Sequence, residues 1–328
     1  MPKASIVVPA YNVAETLPET LSSLLAQTAQ DFEIVVVDDG STDATAEIVQ
    51  RLSDPRIRLI SQENRGLAGA RNTGIAAARG AYIGLCDGDD LWRPGKLAAH
   101  IAHLDARPEV GISYSGSEFI DAASRPLGVF QRPRLRGVDA AHLFRRNPIG
   151  NGSAPVLRRA MLDRVAYRPA GETQRDWWFD ETFRQSEDIE MWLRLALTTD
   201  WEVEGIPGAL TLYRVNGGGL SANTGRQLAA WERMVEKLAP LNPAFFAAHA
   251  PAARAYQLRY LARRAVSDGD GPRARDLVLR ALACSRRPLA EEPAKTLTTC
   301  AAAAALTLPG AARLGRIATQ RRLSYPKG

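Results

Sequence analysis

Over the first hundred residues the chain alternates short, nearly continuous apolar runs with polar stretches and apolar positions at helical spacing. Ser5-Ile6-Val7-Val8-Pro9 predicts a strand, and Leu17, Leu21, Leu24 and Leu25 predict a helix over 17–26. Residues 32–37 predict a second strand. The helix after it carries Ala46, Ile48, Val49 and Leu52, with Ser41, Thr42 and Asp43 available as caps. Residues 57–60 predict a third strand and 81–85 a fourth. Between them, residues 64–72 read as a loop entering a helix that runs through Ala78. Nearly continuous apolar runs suit parallel strands covered on both faces. The alternation predicts an α/β fold: a doubly wound, mostly parallel sheet flanked by helices.

Further along, residues 96–104 and 159–165 read as helices, and 110–115 and 151–157 as strands. Residues 121–150, rich in Arg, Pro and Gly, read as loop with a short helix near 140–144. Residues 167–184 form a long polar and aromatic loop, a length that usually serves function. Its Trp177, Trp178 and Phe179 suit a platform or lid over a ligand, while Phe179 and Phe183 could equally pack into the core. Ile189, Trp192, Leu193 and Ala196 give a helix from Glu187 one buried face. Residues 201–206 and 210–214 predict a hairpin, followed by the glycine-rich stretch 216–221. From Arg226 strand signals vanish, and helices are predicted at 226–239, 244–266, 271–285 and 290–307. The chain therefore divides into an α/β domain, 1–225, and an all-helical C-terminal appendage, 226–328.

Charge sharpens that division. The net charge is +6 over 328 residues. Fifteen Lys/Arg against five Asp/Glu fall from Arg254 onward, which leaves the preceding 253 residues slightly acidic. A basic helical region on an acidic body suits contact with an anionic membrane surface. It lacks the interleaved aromatics of a nucleic-acid binder. Ala301 to Ala305 sit in an apolar run shorter than the ~20 residues that span a bilayer. Arg313, Arg316, Arg321, Arg322 and Lys327 follow and could meet acidic headgroups. Cys86, Cys284 and Cys300 suggest neither a disulfide framework nor a zinc site, which suits a reducing, cytoplasmic setting.

The candidate chemistry lies where predicted strands end. Asp87, Asp89 and Asp90 arrive within four residues, immediately after the fourth strand. Carboxylates packed this closely repel one another unless a cation sits among them, and a hard divalent ion, Mg²⁺ or Mn²⁺, suits oxygen ligands. A solvated turn is the plainer reading. Tyr11-Asn12 and Asp38-Asp39 close the first two strands, so three polar clusters fall at strand C-termini, where such sheets bind ligands. Asp188 lies at a helix N-terminus, where a carboxylate also serves as a cap. A dehydrogenase would need Gly-x-Gly-x-x-Gly after the first strand, and a nucleotidyltransferase a basic glycine loop; Pro9-Ala10-Tyr11-Asn12 is neither.

Taken together, Ile6 to Asn12, Val36 to Asp43, Asn64-Arg65-Gly66 to Arg71-Asn72, Asp87 to Asp90 and Glu187-Asp188 resemble the family 2 glycosyltransferases over roughly residues 3–222. The resemblance implies a GT-A fold and an inverting enzyme that transfers a sugar from a nucleotide sugar, a UDP-sugar first, to a saccharide or lipid-linked acceptor. It implies that Pro9, Tyr11 and Asn12 rest against the base, that Asp39 accepts the base N–H, and that Arg71 lies near base or phosphate. It further implies Asp87 at the ribose, Asp89 as metal ligand with Asp90 as its rival, and Asp188 as catalytic base. Many relatives carry a histidine shortly after the Tyr-Arg pair; here Asn216 stands near that place. A non-catalytic sugar-nucleotide-binding scaffold is the alternative from another class.

Overall fold

The structure is a computed structural model and describes residues 1–215 and 224–307. The chain forms two compact units: the described parts of Met1–Leu143 and Asn147–Leu220, and those of Phe144–Arg146 and Ser221–Gly328.

In the first unit β1 (Ala4–Ala10), α1 (Leu17–Leu25), β2 (Phe32–Asp38), α2 (Thr45–Gln50), β3 (Ile57–Ser61), α3 (Gly66–Ala77) and β4 (Tyr82–Leu85) alternate as the apolar pattern predicts. The remaining elements are β5 (Leu91–Trp92), α4 (Lys96–Ala106), β6 (Val110–Ile120), β7 (Pro126–Gln131), α5 (Ala140–Arg145), β8 (Val156–Arg158), α6 (Arg159–Val165), α7 (Glu187–Thr198) and β9 (Glu202–Arg214). The strands form one sheet in the order β3-β2-β1-β4-β8-β6-β9-β5, with β7 added to β6. From β3 to β4 every pairing is parallel. Beyond β4 the sheet is mixed: β8 is antiparallel to both β4 and β6, and β9 is parallel to β6.

Successive strand residues point to opposite faces. Val7, Ile83 and Leu85 pack on one side with Ile75, Met161, Met191 and Trp192 of α3, α6 and α7. Ile6 and Val8 pack on the other with Leu17, Leu21 and Leu24 of α1 and Leu97 and Leu104 of α4. Two covered faces explain why β1 and β2 are wholly buried and mostly apolar, with Ser5 donating to Glu33 Oε1 (2.7 Å) where polar side chains do occur. Because β1, β2 and β4 run parallel, the chain leaves all three at the same rim. That rim carries Tyr11-Asn12, Asp39 and Cys86 to Asp90.

Three local expectations are corrected. Glu202–Arg214 form one strand, not a hairpin. Pro207-Gly208 has the composition of a turn, but Gly208, at φ +104°, is absorbed as an irregularity in the register with β6. Residues 126–131, read as loop, are the edge strand β7. Arg71 and Asn72, read as loop, lie inside α3.

The 167–184 loop is not a free lid. Trp178, Phe179 and Phe183 are buried, and only Trp177 is partly exposed. Buried Asn72 clamps the loop: its Oδ1 accepts from Trp178 N (3.0 Å) and Phe179 N (2.9 Å), and its Nδ2 donates to Phe179 O (2.7 Å). Arg175 adds bonds to Thr73 Oγ1 and Gly69 O.

The second unit contains α8 (Thr224–Leu238), a 3₁₀ turn Ala239–Leu241, α9 (Pro243–Ser267), α10 (Gly271–Cys284), α11 (Arg287–Glu291) and α12 (Pro293–Leu306). Leu258, Leu261, Ala262, Ala274, Leu277 and Ala303 form its core. Of the alanine run in α12, Ala303 is buried while Ala301, Ala304 and Ala305 are exposed. No helix among the described residues is long and apolar enough to cross a membrane. Asn216 and the basic residues Arg313, Arg316, Arg321, Arg322 and Lys327 lie outside the described residues.

Asn72→Ala would leave the Trp178 and Phe179 N–H groups buried without acceptors, at about 1–3 kcal/mol each. Urea unfolding is expected to show a loss of about 2–6 kcal/mol. A loss too small to measure would mean that the loop is held elsewhere.

Candidate active site

The loops after β1 and β2 are laced together. Asn12 takes a left-handed conformation at φ 52°, its N–H donates to Ser41 Oγ (3.0 Å), and its Oδ1 accepts from Thr42 N (2.8 Å). Asp43 Oδ2 accepts from Ala14 N (3.1 Å). Pro9 is buried at the end of β1, whereas the Tyr11 ring projects, half exposed. Asp39 is buried behind them. Its Oδ1 accepts from Gln62 Nε2 (2.6 Å) and Arg65 N (2.8 Å), and its Oδ2 from Gly66 N (2.8 Å). The start of α3 thus fixes the Asp39 carboxylate. Arg184, exposed, lies over the same place: a Cβ on Gly66 would stand 2.0 Å from its Nη1.

In the acidic turn the three aspartates have different surroundings. Asp90 is fully buried; its Oδ2 accepts from Ser153 Oγ (2.6 Å) and its Oδ1 from Arg214 N (2.9 Å). Burial and the neighbouring Asp89 and Asp87 push its pKa well above the carboxylate range. Asp90 is therefore a structural member of the turn, which leaves Asp89, partly exposed, at the rim. Arg214 fixes the turn from beneath, with Nε donating to Asp89 O (2.7 Å). Buried Lys96 donates to Ser153 O and to Thr211 Oγ1 (2.7 Å), and burial pushes its pKa down to about 7.

Asp87 leads to the third cluster. Arg71, 2% exposed, donates from Nη2 to Asp87 Oδ1 and from Nη1 to Glu187 Oε1, both at 2.8 Å. One guanidinium thereby ties the turn after β4 to the first residue of α7 and brings Asp188 to the same rim. Its carbon lies 5.5 Å from the centre of the Phe179 ring. Gly152 permits the pairing, since a Cβ there would fall 2.0 Å from Arg71 Nη2. Asp188 Oδ1 accepts from Ile189 N (2.8 Å), so the capping reading describes part of what it does. Burial raises the pKa of both Glu187 and Asp188, against the pull of Arg71. Burial lowers the pKa of Arg71, but Asp87 and Glu187 outweigh it, and the guanidinium stays charged.

Arg71 is thus committed to two carboxylates within the fold and does not project into the rim. Asp39, Asp87, Asp89 and Asp188 all lie along that rim. Arg214, Lys96, Ser153 and Glu187 escape sequence reasoning because their partners are 57 to 125 residues away. The tight Glu187-Asp188 spacing was the one signal that pointed to any of them. Among the described residues no three His, Cys, Asp or Glu side chains are placed to enclose a metal ion.

Removing one partner of a buried ion pair costs about 3–5 kcal/mol. Arg71→Leu is therefore expected to lower unfolding free energy by that amount, and Gly152→Ala to reproduce part of the loss by displacing the guanidinium. Wild-type stability in both would show that the bridge contributes nothing.

A family model described as Glycosyl transferase family 2 matches residues 5–165. The succinoglycan biosynthesis protein ExoO of Rhizobium meliloti is 34% identical over 231 residues, covering 67% of this chain and 63% of the relative. The chain thus spans less than two thirds of that relative's length. The Escherichia coli UDP-Glc:alpha-D-GlcNAc-diphosphoundecaprenol beta-1,3-glucosyltransferase WfgD is 30% identical over 225 residues, covering 68% of this chain and 81% of the relative. The mannosyltransferase PcManGT from Pyrobaculum calidifontis, solved with GDP-Man and Mn²⁺, has the same fold: TM-score 0.58 at 22% identity, covering 96% of this chain and 87% of that one. The order of its motifs, the rim they share and these relatives place the chain in glycosyl transferase family 2.

Proposed function

We propose that the chain is an inverting, metal-dependent glycosyltransferase that moves a sugar from a UDP-sugar to a hydroxyl of a saccharide or lipid-linked acceptor in bacterial polysaccharide or glycolipid synthesis. The observation that carries this is the Arg71 bridge, which holds the acidic turn and the start of α7 at one sheet rim. The name of WfgD, with its UDP-glucose donor and diphosphoundecaprenol-linked acceptor, supports the donor and acceptor classes.

The base stacks by the Tyr11 ring between Pro9 and Asn12. Asp39 accepts the base N–H: its Oδ2 carries one protein hydrogen bond and has a second acceptor direction left. Asp87, with one oxygen on Arg71, offers the other to the ribose. The fit to a metal rests on the donor set. Magnesium-like sites use one or two carboxylates, with substrate phosphates and waters as the other ligands. Asp89, partly exposed at the rim, supplies such a carboxylate, whereas Asp90 is fully buried. A divalent ion bound there supplies charge neutralisation for the departing diphosphate.

Asp188 takes the proton from the acceptor hydroxyl as its oxygen bonds to the anomeric carbon. The bond from that carbon to the diphosphate oxygen breaks on the opposite face, and the configuration inverts. The burial that raises Asp188 keeps it a better base than an exposed aspartate. Its ionised form is required, so activity falls as pH drops through the raised pKa.

Asp188→Asn is expected to lower transfer by about 10²–10⁴ while leaving the thermal shift with UDP-sugar and Mn²⁺ intact. Near wild-type turnover in this variant would reduce Asp188 to a helix cap. The acid limb of the wild-type pH–rate profile should lie above the value near 3.9 of an exposed aspartate. Chelation should abolish transfer, and Mn²⁺ should restore it; unchanged activity in chelator would remove the metal from the reading.

A further inference from the structure

The β6–β7 hairpin has features the rim chemistry does not use. Every residue from Pro126 to Phe130 is exposed, among them Leu127, Val129 and Phe130. An edge strand that offers three large apolar side chains to water is an aggregation liability unless something covers it. Gly128, at φ +66° with open space around it, twists the strand, and the register with β6 shifts between Glu118 and Ile120. Residues 121–137 hold four arginines and one aspartate. Arg125 pairs with Asp121. Arg132, Arg134 and Arg136 are exposed, and no carboxylate among the described residues pairs with them. Arg132 instead lies over the Phe130 ring, 5.6 Å from its centre.

The hairpin is fastened to the candidate active site. Arg214, whose Nε holds Asp89 O, donates from Nη1 to Asp121 O (3.1 Å), Ala122 O (3.0 Å) and Ser124 Oγ (2.9 Å) in the β6–β7 turn. At the other end Gln131 packs against Gly150, beside the 151–153 loop that touches Arg71 and Asp90.

We propose that this hairpin docks on an anionic lipid bilayer, with Leu127, Val129 and Phe130 entering the interface and Arg132, Arg134 and Arg136 meeting headgroup phosphates. Apolar insertion combined with basic residues is what interfacial binding requires. Each arginine near an anionic surface strengthens binding about fivefold. A second copy of the chain fits the strand less well: pairing β7 with β7 would bring arginines of both chains together, and the twist at Gly128 opposes a flat edge pairing. Docking itself stands apart from glycosyl transfer. Its consequence, that the rim is presented to a lipid-carried acceptor, rests on the proposed function.

The test is co-sedimentation of the full chain with vesicles of equimolar phosphatidylglycerol and phosphatidylcholine at low salt, against phosphatidylcholine alone. The wild type is expected to bind the anionic vesicles and to be released by salt. The double variant Val129→Ser/Phe130→Ser should lose about tenfold or more in vesicle affinity, as should Arg132→Gln/Arg134→Gln. Melting temperature and the UDP-sugar thermal shift should stay unchanged in both, because the altered side chains are exposed and none of them holds a residue of the rim. The basic C-terminal region is the same in all these proteins, so equal binding by wild type and variants would overturn the proposal. Absence of wild-type binding at low salt would do the same, as would a wild-type dimer that the apolar variant dissolves without any change in vesicle binding.

Discussion

A buried guanidinium between two carboxylates is the interaction on which the rest of the first unit depends. Asp87, Asp89, Asp90, Glu187 and Asp188 approach one rim from two parts of the chain a hundred residues apart. Left to themselves they would repel one another and open the loops that carry them. Arg71 lies beneath them, on a helix packed against β1, with one nitrogen on Asp87 and one on Glu187. Its burial limits screening by water, most fully at Glu187, since Asp87 is partly exposed. The cost of desolvating the charge is offset because both neighbouring anions stand within hydrogen-bond distance. Gly152 is part of the same arrangement, since any side chain there would occupy the space of the guanidinium.

Arg214 plays the matching role on the other side of the acidic turn. It is nearly inaccessible to solvent, and its side chain satisfies carbonyls in the Asp89 turn and in the β6–β7 turn at once. Its backbone N–H holds Asp90. The two arginines bind different partners: Arg71 joins two carboxylates, whereas Arg214 joins backbone carbonyls of two turns and pairs with Glu19 (3.0 Å). Asp89 is left at the rim between them, on a turn braced from both sides. α3 extends this rigidity to the Asp39 end of the rim, where the N–H groups at its start orient that carboxylate, and to the aromatic loop, which Asn72 clamps.

The half of the fold built on β1 to β4 was legible because β1, β2 and β4 are buried throughout and so write nearly continuous apolar runs, while the partly buried edge strand β3 keeps Ile57, Leu59 and Ile60. The rim was legible for the same reason, since polar residues at the ends of parallel strands must gather at one edge. Legibility failed where the signal was not local. Pro207-Gly208 has the composition of a turn, yet the pull of an eleven-residue partner, β6, keeps the chain extended through it. β7 is exposed along its length, so no buried face marks it as a strand. Arg71 was recognised as a site residue, but its partners lie 16 and 116 positions away, and a rim cation and a buried brace look alike in sequence. The ambiguity between Asp89 and Asp90 is of the same kind. Only Ser153 and Arg214, both distant in the chain, show that Asp90 is engaged inside the fold.

That an acidic rim held by Arg71 receives a nucleoside diphosphate is tested most directly by a crystal structure of the chain with UDP-glucose and Mn²⁺. The uracil ring is expected against Tyr11 with its N–H on Asp39, the diphosphate beside Asp89, and the anomeric carbon facing Asp188. A nucleotide seated away from these residues, or a rim that stays empty at saturating UDP-glucose and GDP-mannose alike, would contradict it.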